Sequence, residues 1–311
     1  MPERTTHQLD GLIVVDKPAG MTSRRLVDVV ARALGTKSVG HAGTLDPLAR
    51  GVMLVCVGAV TRLVELLHEL PKRYEATFLL GRSSASDDME TPVEEETQPV
   101  QPSRAAVEVA LPAFRGDILQ RPCDYSAAHV AGKRAYALAR AGKAVALAPK
   151  PVHIDRLVVT DYDWPRLDLD IVCSSGTFIR ALGRDLAIAL GTRAVMSALR
   201  RTAVGPFTLA DAVPLERIEA GMVRESLRPS VDAVPQLERV VLDGVVLDQA
   251  IRGAFVSPAE LASSGLPRMA DVSTSPAANV AALDPTGELV GILRLHPSGS
   301  YRLRPNFRGL G

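Results

Sequence analysis

Between Val152 and Cys173 the chain alternates. Val152, Ile154, Leu157 and Val159, then Leu167, Leu169, Ile171 and Cys173, are apolar, with polar residues between them. A period of two places one set of side chains on one face of a strand. Two such runs close together predict an antiparallel pair with one buried face. Helical patterns surround it. Leu26, Val29, Val30 and Ala33 recur at helical spacing after Ser23, which is expected to cap a helix ending at Leu34 before Gly35. Phe178, Ile179, Leu182, Leu186 and Leu190 mark a second helix, over 177–190, with Arg180 and Arg184 one turn apart on its other side. Further helices are expected over 60–70, over 103–112 and in the basic stretch 132–142. Strands are expected over 12–15, 52–57 and 74–80. The expected class is α+β, with a mixed, mostly antiparallel sheet.

At 311 residues the chain is long enough for about two domains, and its composition is that of a globular protein. Residues 222–238 mix Pro, Ser and charge and read as a linker. Short strands over 280–283, 289–295 and 301–303 suggest a small β-rich tail. The expected division is 1–232 and 238–311, with the tail adding contact area only. The longest apolar run, Gly51 to Val60, is ten residues, about half a membrane span. The first residues hold no apolar h-region, so no signal peptide is expected. Cys56, Cys123 and Cys173 lie far apart, which fits neither a metal site nor a disulfide framework and points to a reduced cytoplasm.

The net charge is +1, but it is unevenly spread. From Arg121 to Lys150 six Lys/Arg face one acid, whereas Ser83 to Ser103 carries six acids and no base. An average near zero can therefore hide a basic face. The acidic stretch reads as a surface loop.

The segment with the densest chemistry is Gly40-His41-Ala42-Gly43-Thr44-Leu45-Asp46-Pro47-Leu48-Ala49-Arg50-Gly51. Its glycines and proline fix a tight loop. Asp46 precedes the proline and is held extended, which presents its carboxylate rigidly. Such a carboxylate serves as a nucleophile or general base. An isolated Asp-Pro pair more often only caps a turn.

This segment, with Asp16-Lys17-Pro18-Ala19-Gly20-Met21-Thr22-Ser23, closely resembles the bacterial TruB family of tRNA pseudouridine synthases. Lys72-Arg73-Tyr74 resembles a second motif of that family. Tyr125-Ser126-Ala127, followed by Gly132, Arg134, Tyr136, Ala139 and Arg140, resembles its basic RNA-facing segment. Ser175-Gly176-Thr177-Phe178-Ile179-Arg180 and Ala198-Leu199-Arg200-Arg201-Thr202 resemble two more. The resemblance covers roughly residues 10 to 215.

The resemblance implies a pseudouridine-synthase catalytic domain and a PUA-like tail. It implies isomerisation of the T-loop uridine at position 55 of tRNA, moving the glycosidic bond from N1 to C5 without cofactor or metal. The target base is flipped out of its stack. Asp46 is the implied catalytic carboxylate, attacking base or sugar or removing a ribose proton. Tyr74 stacks on the flipped base and helps deprotonate C5. Arg180 pairs with Asp46, aims it and lowers its pKa. His41 holds the nucleotide or the loop, Leu199 and Phe178 wall the pocket, and Lys17 braces the Asp46 loop. Arg134 and Arg140, with Lys143 and Arg200, contact RNA phosphates. The implied partner is the tRNA T arm, bound by a cytoplasmic monomer that needs no protein partner and no membrane.

Three positions depart from the family pattern. Phe178 replaces a tyrosine, and His129 replaces a lysine of the RNA-facing motif. Ser84-Ala85-Ser86 stands where Thr-Asp-Thr is usual, so a carboxylate is missing that Asp87 or Asp88 is expected to supply.

Overall fold

A computed structural model describes residues 9–125, 129–130, 133–134, 147–263 and 278–308. The strands of the first sheet, in chain order, are β1 (Gly11–Lys17), β2 (Val39–Ala42), β3 (Arg50–Val57), β4 (Lys72–Leu80), β5 (Gly116–Gln120), β6 (Lys150–Asp163), β7 (Arg166–Cys173), β8 (Ala194–Val204) and β9 (Val213–Pro214). Their order across the sheet is β9-β1-β3-β8-β4-β7-β6-β5, with β2 pairing β3 and Phe207–Thr208 pairing β8. Only β9 on β1 and β8 on β3 run parallel. The sheet is thus mixed and mostly antiparallel, as the alternation implies. The run that alternates becomes β6 and β7, with Leu157 opposite Ile171 and Val159 opposite Leu169.

Helices cover both faces. Helix α1 (Ser23–Leu34) lays Leu26, Val29, Val30 and Leu34 on Ile13, Val15, Met53 and Val55. Its cap is Thr22, whose hydroxyl accepts from Arg25 N at 3.2 Å, so Ser23 is freed for another task described below. Gly35 ends the helix with a φ of 69°, the left-handed region that glycine enters without a Cβ clash. The expected helix over 60–70 is broken in two, a 3₁₀ turn (Gly58–Leu63) and then α2 (Val64–His68). At Gly58 the chain turns with a φ of 62°, and the Asp10 carboxylate accepts from Ala59 N at 2.7 Å. Helix α3 (Arg104–Ala110) is capped by Ser103 as expected, whose hydroxyl accepts from Ala106 N at 3.2 Å.

Helix α4 (Ile179–Ala189) packs Leu182 and Leu186 on a core that holds Phe78, Leu169 and Ile171. A Cβ on Gly183 would lie 2.0 Å from the Phe78 ring, so glycine alone permits this approach. The helix starts at Ile179 rather than 177 because Gln120 holds the Phe178 backbone at both ends. Its amide accepts from Phe178 N at 2.8 Å and donates to Phe178 O at 3.1 Å. Of the expected basic helix, Lys133–Arg134 instead pairs with His129–Val130 as a short hairpin, and most of the rest lies outside the described residues.

A second, five-stranded sheet uses β10 (Arg239–Val241), β11 (Phe255–Val256), β12 (Asn279–Leu283), β13 (Leu289–Leu295) and β14 (Tyr301–Asn306). It is not merely appended. Ala281, Leu283, Leu289 and Ile292 share one apolar core with Leu12, Val14, Val52, Leu54, Leu63 and Leu67 of the first unit. Gln236 donates to Leu66 O at 2.9 Å, and the Arg62 guanidinium sits 5.0 Å over the Phe307 ring. The expectation that the tail adds contact area only is therefore corrected, because tail and sheet complete each other's core. Among the described residues no helix is long and apolar enough to cross a membrane.

Candidate active site

The loop between β2 and β3 carries Asp46, and three contacts fix it. Gly51 has a φ of 108°, and a Cβ there would lie 2.2 Å from Arg201 O, so only glycine lets β3 lie against β8. Gly20 N donates to Pro47 O at 2.7 Å. The buried Ser23 hydroxyl donates to Leu45 O at 3.0 Å and accepts from Leu45 N at 2.9 Å. Lys17 stands behind this arrangement. It is fully buried, and its ammonium donates to Pro18 O at 2.9 Å and Met21 O at 2.6 Å. It thereby shapes the turn that holds Pro47, without lining the pocket itself. Burial is the main reason its pKa falls to about 8, with Asp46 opposing that fall and Arg201 adding to it.

Asp46 faces a cavity of about 250 Å³ lined also by Leu45, His68, Lys72, Tyr74, Phe178, Arg180, Leu199 and Arg201. That is below the usual range for sites that hold drug-sized ligands, roughly 300–1,000 Å³, and suits a single ring. Tyr74 and Leu199 are both buried and come from neighbouring strands, β4 and β8. Phe178 lines the cavity from the residue before α4.

Arg180 enters from the first turn of α4. It is 5% exposed, and its Nη2 lies 3.0 Å from Asp46 Oδ2. Its Nη1 lies 3.3 Å from Asp88 Oδ2, and it also donates to Ser86 O and Tyr125 O at 2.8 and 2.9 Å. The expected pairing is present, but the expected net shift is reversed. Burial raises the Asp46 pKa, Arg180 pulls it down, and Asp88 and Glu90 push it up again. About a third of the Asp46 side chain meets the cavity and protein surrounds the rest, so lost hydration outweighs the single cation. Arg180 limits a rise instead of producing a fall. Burial likewise raises the Tyr74 hydroxyl, against a hydrogen bond from Arg201, which keeps it a phenol near neutral pH.

The acidic stretch is not a solvated loop throughout. Ser86 and Asp88 are buried, and the Ser86 hydroxyl bonds Asp88 Oδ1 at 2.5 Å. Asp88 thus supplies the second carboxylate at Arg180. Asp87, with a φ of 61°, turns the other way and meets Arg184 at 3.0 Å. Both arginines of α4 thus make an ion pair to this stretch.

His41 sits on β2 opposite Val55 and is not among the cavity-lining residues. Its Nδ1 is buried without a partner, and burial followed by Arg201, His68 and Arg24 holds the ring toward its neutral form. His68, from the end of α2, lines the cavity instead. The Arg134 side chain and the whole of Arg140 and Lys143 lie outside the described residues. Arg200 points away from the cavity, its guanidinium 4.0 Å from Asp16.

Sequence reasoning missed Lys72, Gln120 and Arg201. Alternation along a strand gives the signal for two of them. If Tyr74 and Leu199 face the cavity, so do residues two away. Lys72 and Arg201 are those residues, and both are almost fully buried cations. The Arg201 Nε donates to Val52 O at 2.7 Å and its Nη2 to Gly43 O at 3.1 Å. It ties both ends of the Asp46 loop to β8. No group of His, Cys, Asp and Glu able to hold a metal ion occurs among the described residues.

Residues 31–179 match the model of the TruB family pseudouridylate synthase N-terminal domain. Residues 180–248 match that of the tRNA pseudouridylate synthase B C-terminal domain. The tRNA pseudouridine synthase B of Gluconacetobacter diazotrophicus is 40% identical over 267 residues, 84% of this chain and 87% of the relative. That of Mycobacterium avium is 46% identical over 212 residues, 67% and 69% of the two chains. Among solved structures, the crystal structure of a Cbf5-Nop10-Gar1 complex matches with a TM-score of 0.68 at 22% identity, over 99% of this chain and 88% of that one. That of the archaeal box H/ACA sRNP Nop10-Cbf5 complex matches at 0.67 and 21% identity, over 97% and 87%. At such identity the likeness concerns the fold.

Proposed function

The chain belongs to the TruB family of pseudouridylate synthases, and from that premise we propose that it isomerises the T-loop uridine of tRNA, position 55, to pseudouridine, with Asp46 as the catalytic carboxylate. The observation that carries this reading is the Arg180–Asp46 contact at 3.0 Å beside a ring-sized cavity walled by Tyr74 and Leu199. The reaction breaks N1–C1′, turns the base, and joins C5 to C1′. The C5 proton is then lost and N1 gains one. Attack on the sugar and removal of a ribose proton both need an ionised, aimed carboxylate. Arg180 favours the ionised form and Pro47 with Ser23 fixes the loop that aims it. A cavity this small admits the base only after it leaves its stack. Tyr74 and Leu199 then take its two faces, and Phe178 closes the wall.

The tRNA T arm is the partner in this reading, and the enzyme acts as a cytoplasmic monomer without protein partner or cofactor. Residues 1–232 form the catalytic unit. Residues 238–311 form a PUA-like unit that extends the RNA-binding surface. Arg134, Arg140 and Lys143 supply phosphate contacts. Incubation with unmodified tRNA transcript, followed by mapping of pseudouridine, tests the activity. Product at position 55 is expected, and an unmodified transcript at saturating enzyme overturns the reading.

A further inference from the structure

The Asp46–Arg180 pair leaves two further cations of the cavity without a counter-charge. Lys72 is 4% exposed and Arg201 1%. Among the described residues neither has a carboxylate within ion-pair distance. Lys72 donates to His68 O at 2.5 Å and Leu70 O at 2.6 Å, which uses two of its three N–H groups. Arg201 spends its donors on Val52 O, Gly43 O and the Tyr74 hydroxyl. Every one of these acceptors is neutral. Burying two positive charges side by side without a counter-charge costs free energy, and both line the cavity. A site built this way stabilises negative charge brought in by its occupant.

The proposed reaction creates such a charge. When N1–C1′ breaks, the bonding electron pair leaves with the base. The base becomes an anion, its charge spread over N1, O2 and O4, and C1′ is left electron-poor. The charge disappears when C5 supplies a pair to C1′, the C5 proton departs and N1 takes up a proton. We propose, resting on the function above, that Lys72 and Arg201 form a cationic cradle that stabilises the uracil anion between bond breaking and bond making. The cradle holds the anion more tightly than the neutral base, which is the condition for lowering the barrier. The third Lys72 N–H and the remaining Arg201 N–H groups are the donors that meet the base.

Lys72 offers the cleaner test because its charge can be removed by pH. The groups facing it are Arg201 on β8, Cys173 opposite it on β7 and His68 at the end of α2, with Tyr74 two residues along its own strand. Burial, then Arg201, lowers its pKa to about 8, and Cys173 opposes them. Single-turnover rates on one tRNA transcript are measured from pH 6 to 9.5 at saturating enzyme, for the parent, Lys72→Arg and Lys72→Met. The parent rate should fall above about pH 8. Lys72→Arg keeps a cation and should move that fall to higher pH, while titration of the RNA cancels in the comparison. Lys72→Met should be slower by about 100-fold or more at pH 7, with tRNA affinity within about threefold of the parent. A fall that stays in place in Lys72→Arg overturns the cradle, as does a parent rate flat to pH 9.5. So does a Lys72→Met variant that turns over normally but binds tRNA weakly, which marks a phosphate contact. If Lys72→Met does not fold, the Lys72→Arg profile decides. Failure of the parent itself to make pseudouridine rejects the function instead.

Discussion

The Nη2 of Arg180 rests 3.0 Å from Oδ2 of Asp46, and this contact connects a helix to a loop more than a hundred residues earlier in the chain. The same guanidinium meets Asp88 at 3.3 Å, so two carboxylates share one buried cation. Burial and the neighbouring Asp88 raise the Asp46 pKa, and Arg180 opposes them.

Asp46→Asn keeps the shape of the side chain and removes its charge. Pseudouridine formation should fall below detection at ordinary enzyme concentrations. Filter-binding affinity for tRNA should stay within a few-fold, since phosphate contacts supply most of it. Measurable turnover excludes Asp46 as the reacting group.

Arg180→Met leaves Asp46 and Asp88 facing each other in a desolvated site. Breaking a buried pair by removing one partner costs about 3–5 kcal/mol, to be read as a lower denaturation midpoint. The pH profile separates positioning from stability. If Asp46 reacts as a carboxylate, as proposed, the rate falls as pH drops through its pKa. Arg180 lowers that pKa, and its loss should shift the acid limb to higher pH. An unmoved limb in folded Arg180→Met excludes the electrostatic role.

Phe178→Tyr restores the hydroxyl usual in the family. Gln120 fixes the Phe178 backbone, and with it the point from which the ring enters the cavity. At a wet cavity mouth the hydroxyl costs little. Single-turnover activity should stay within about tenfold of the parent, or roughly 1.4 kcal/mol in the barrier. Phe178→Ala should be slower than either. An alanine variant as fast as the parent removes Phe178 from the pocket wall.

Truncation after Gln236 should damage folding, not only RNA affinity. Leu283, Leu289 and Ile292 bury their side chains in the shared core, each contributing about 1.5–3 kcal/mol. Their loss also uncovers Leu63 and Leu67. The shortened chain should melt well below the parent or aggregate. A soluble fragment with an unchanged melting temperature shows that the shared core contributes little.

Part of the sheet was legible because β4 and β6 have one buried face, so a period of two survives in the letters, whereas β1 and β3 are buried on both faces and read as continuous apolar runs. That Asp46, Tyr74 and Arg180 come together at one cavity was legible through motifs. What escaped was what depends on neighbours distant in sequence. Arg201 reads like Arg200 until β8 is placed between β3 and β4, when one faces Gly43 and the other Asp16. Asp87 and Asp88 are equal candidates for the missing carboxylate until the fold turns Asp88 to Arg180 and Asp87 to Arg184. The Asp46 pKa followed the same pattern, since a motif shows the cation and not the depth of burial. Ser23 was assigned to a helix cap that Thr22 makes, because the segment it serves, Leu45, is 22 residues away.

The core that joins the two sheets makes the molecule a caliper with fixed jaws. A linker of Pro, Ser and charge suggests two pieces that swing, but a common apolar interior sets one separation and one angle between the reacting cavity and the tail. Under the proposed function, an RNA gripped by both is measured as well as bound. In that reading a stem too short or bent the wrong way reaches one jaw and misses the other, and selection among RNAs resides in geometry far from Asp46 as much as in the bases beside it.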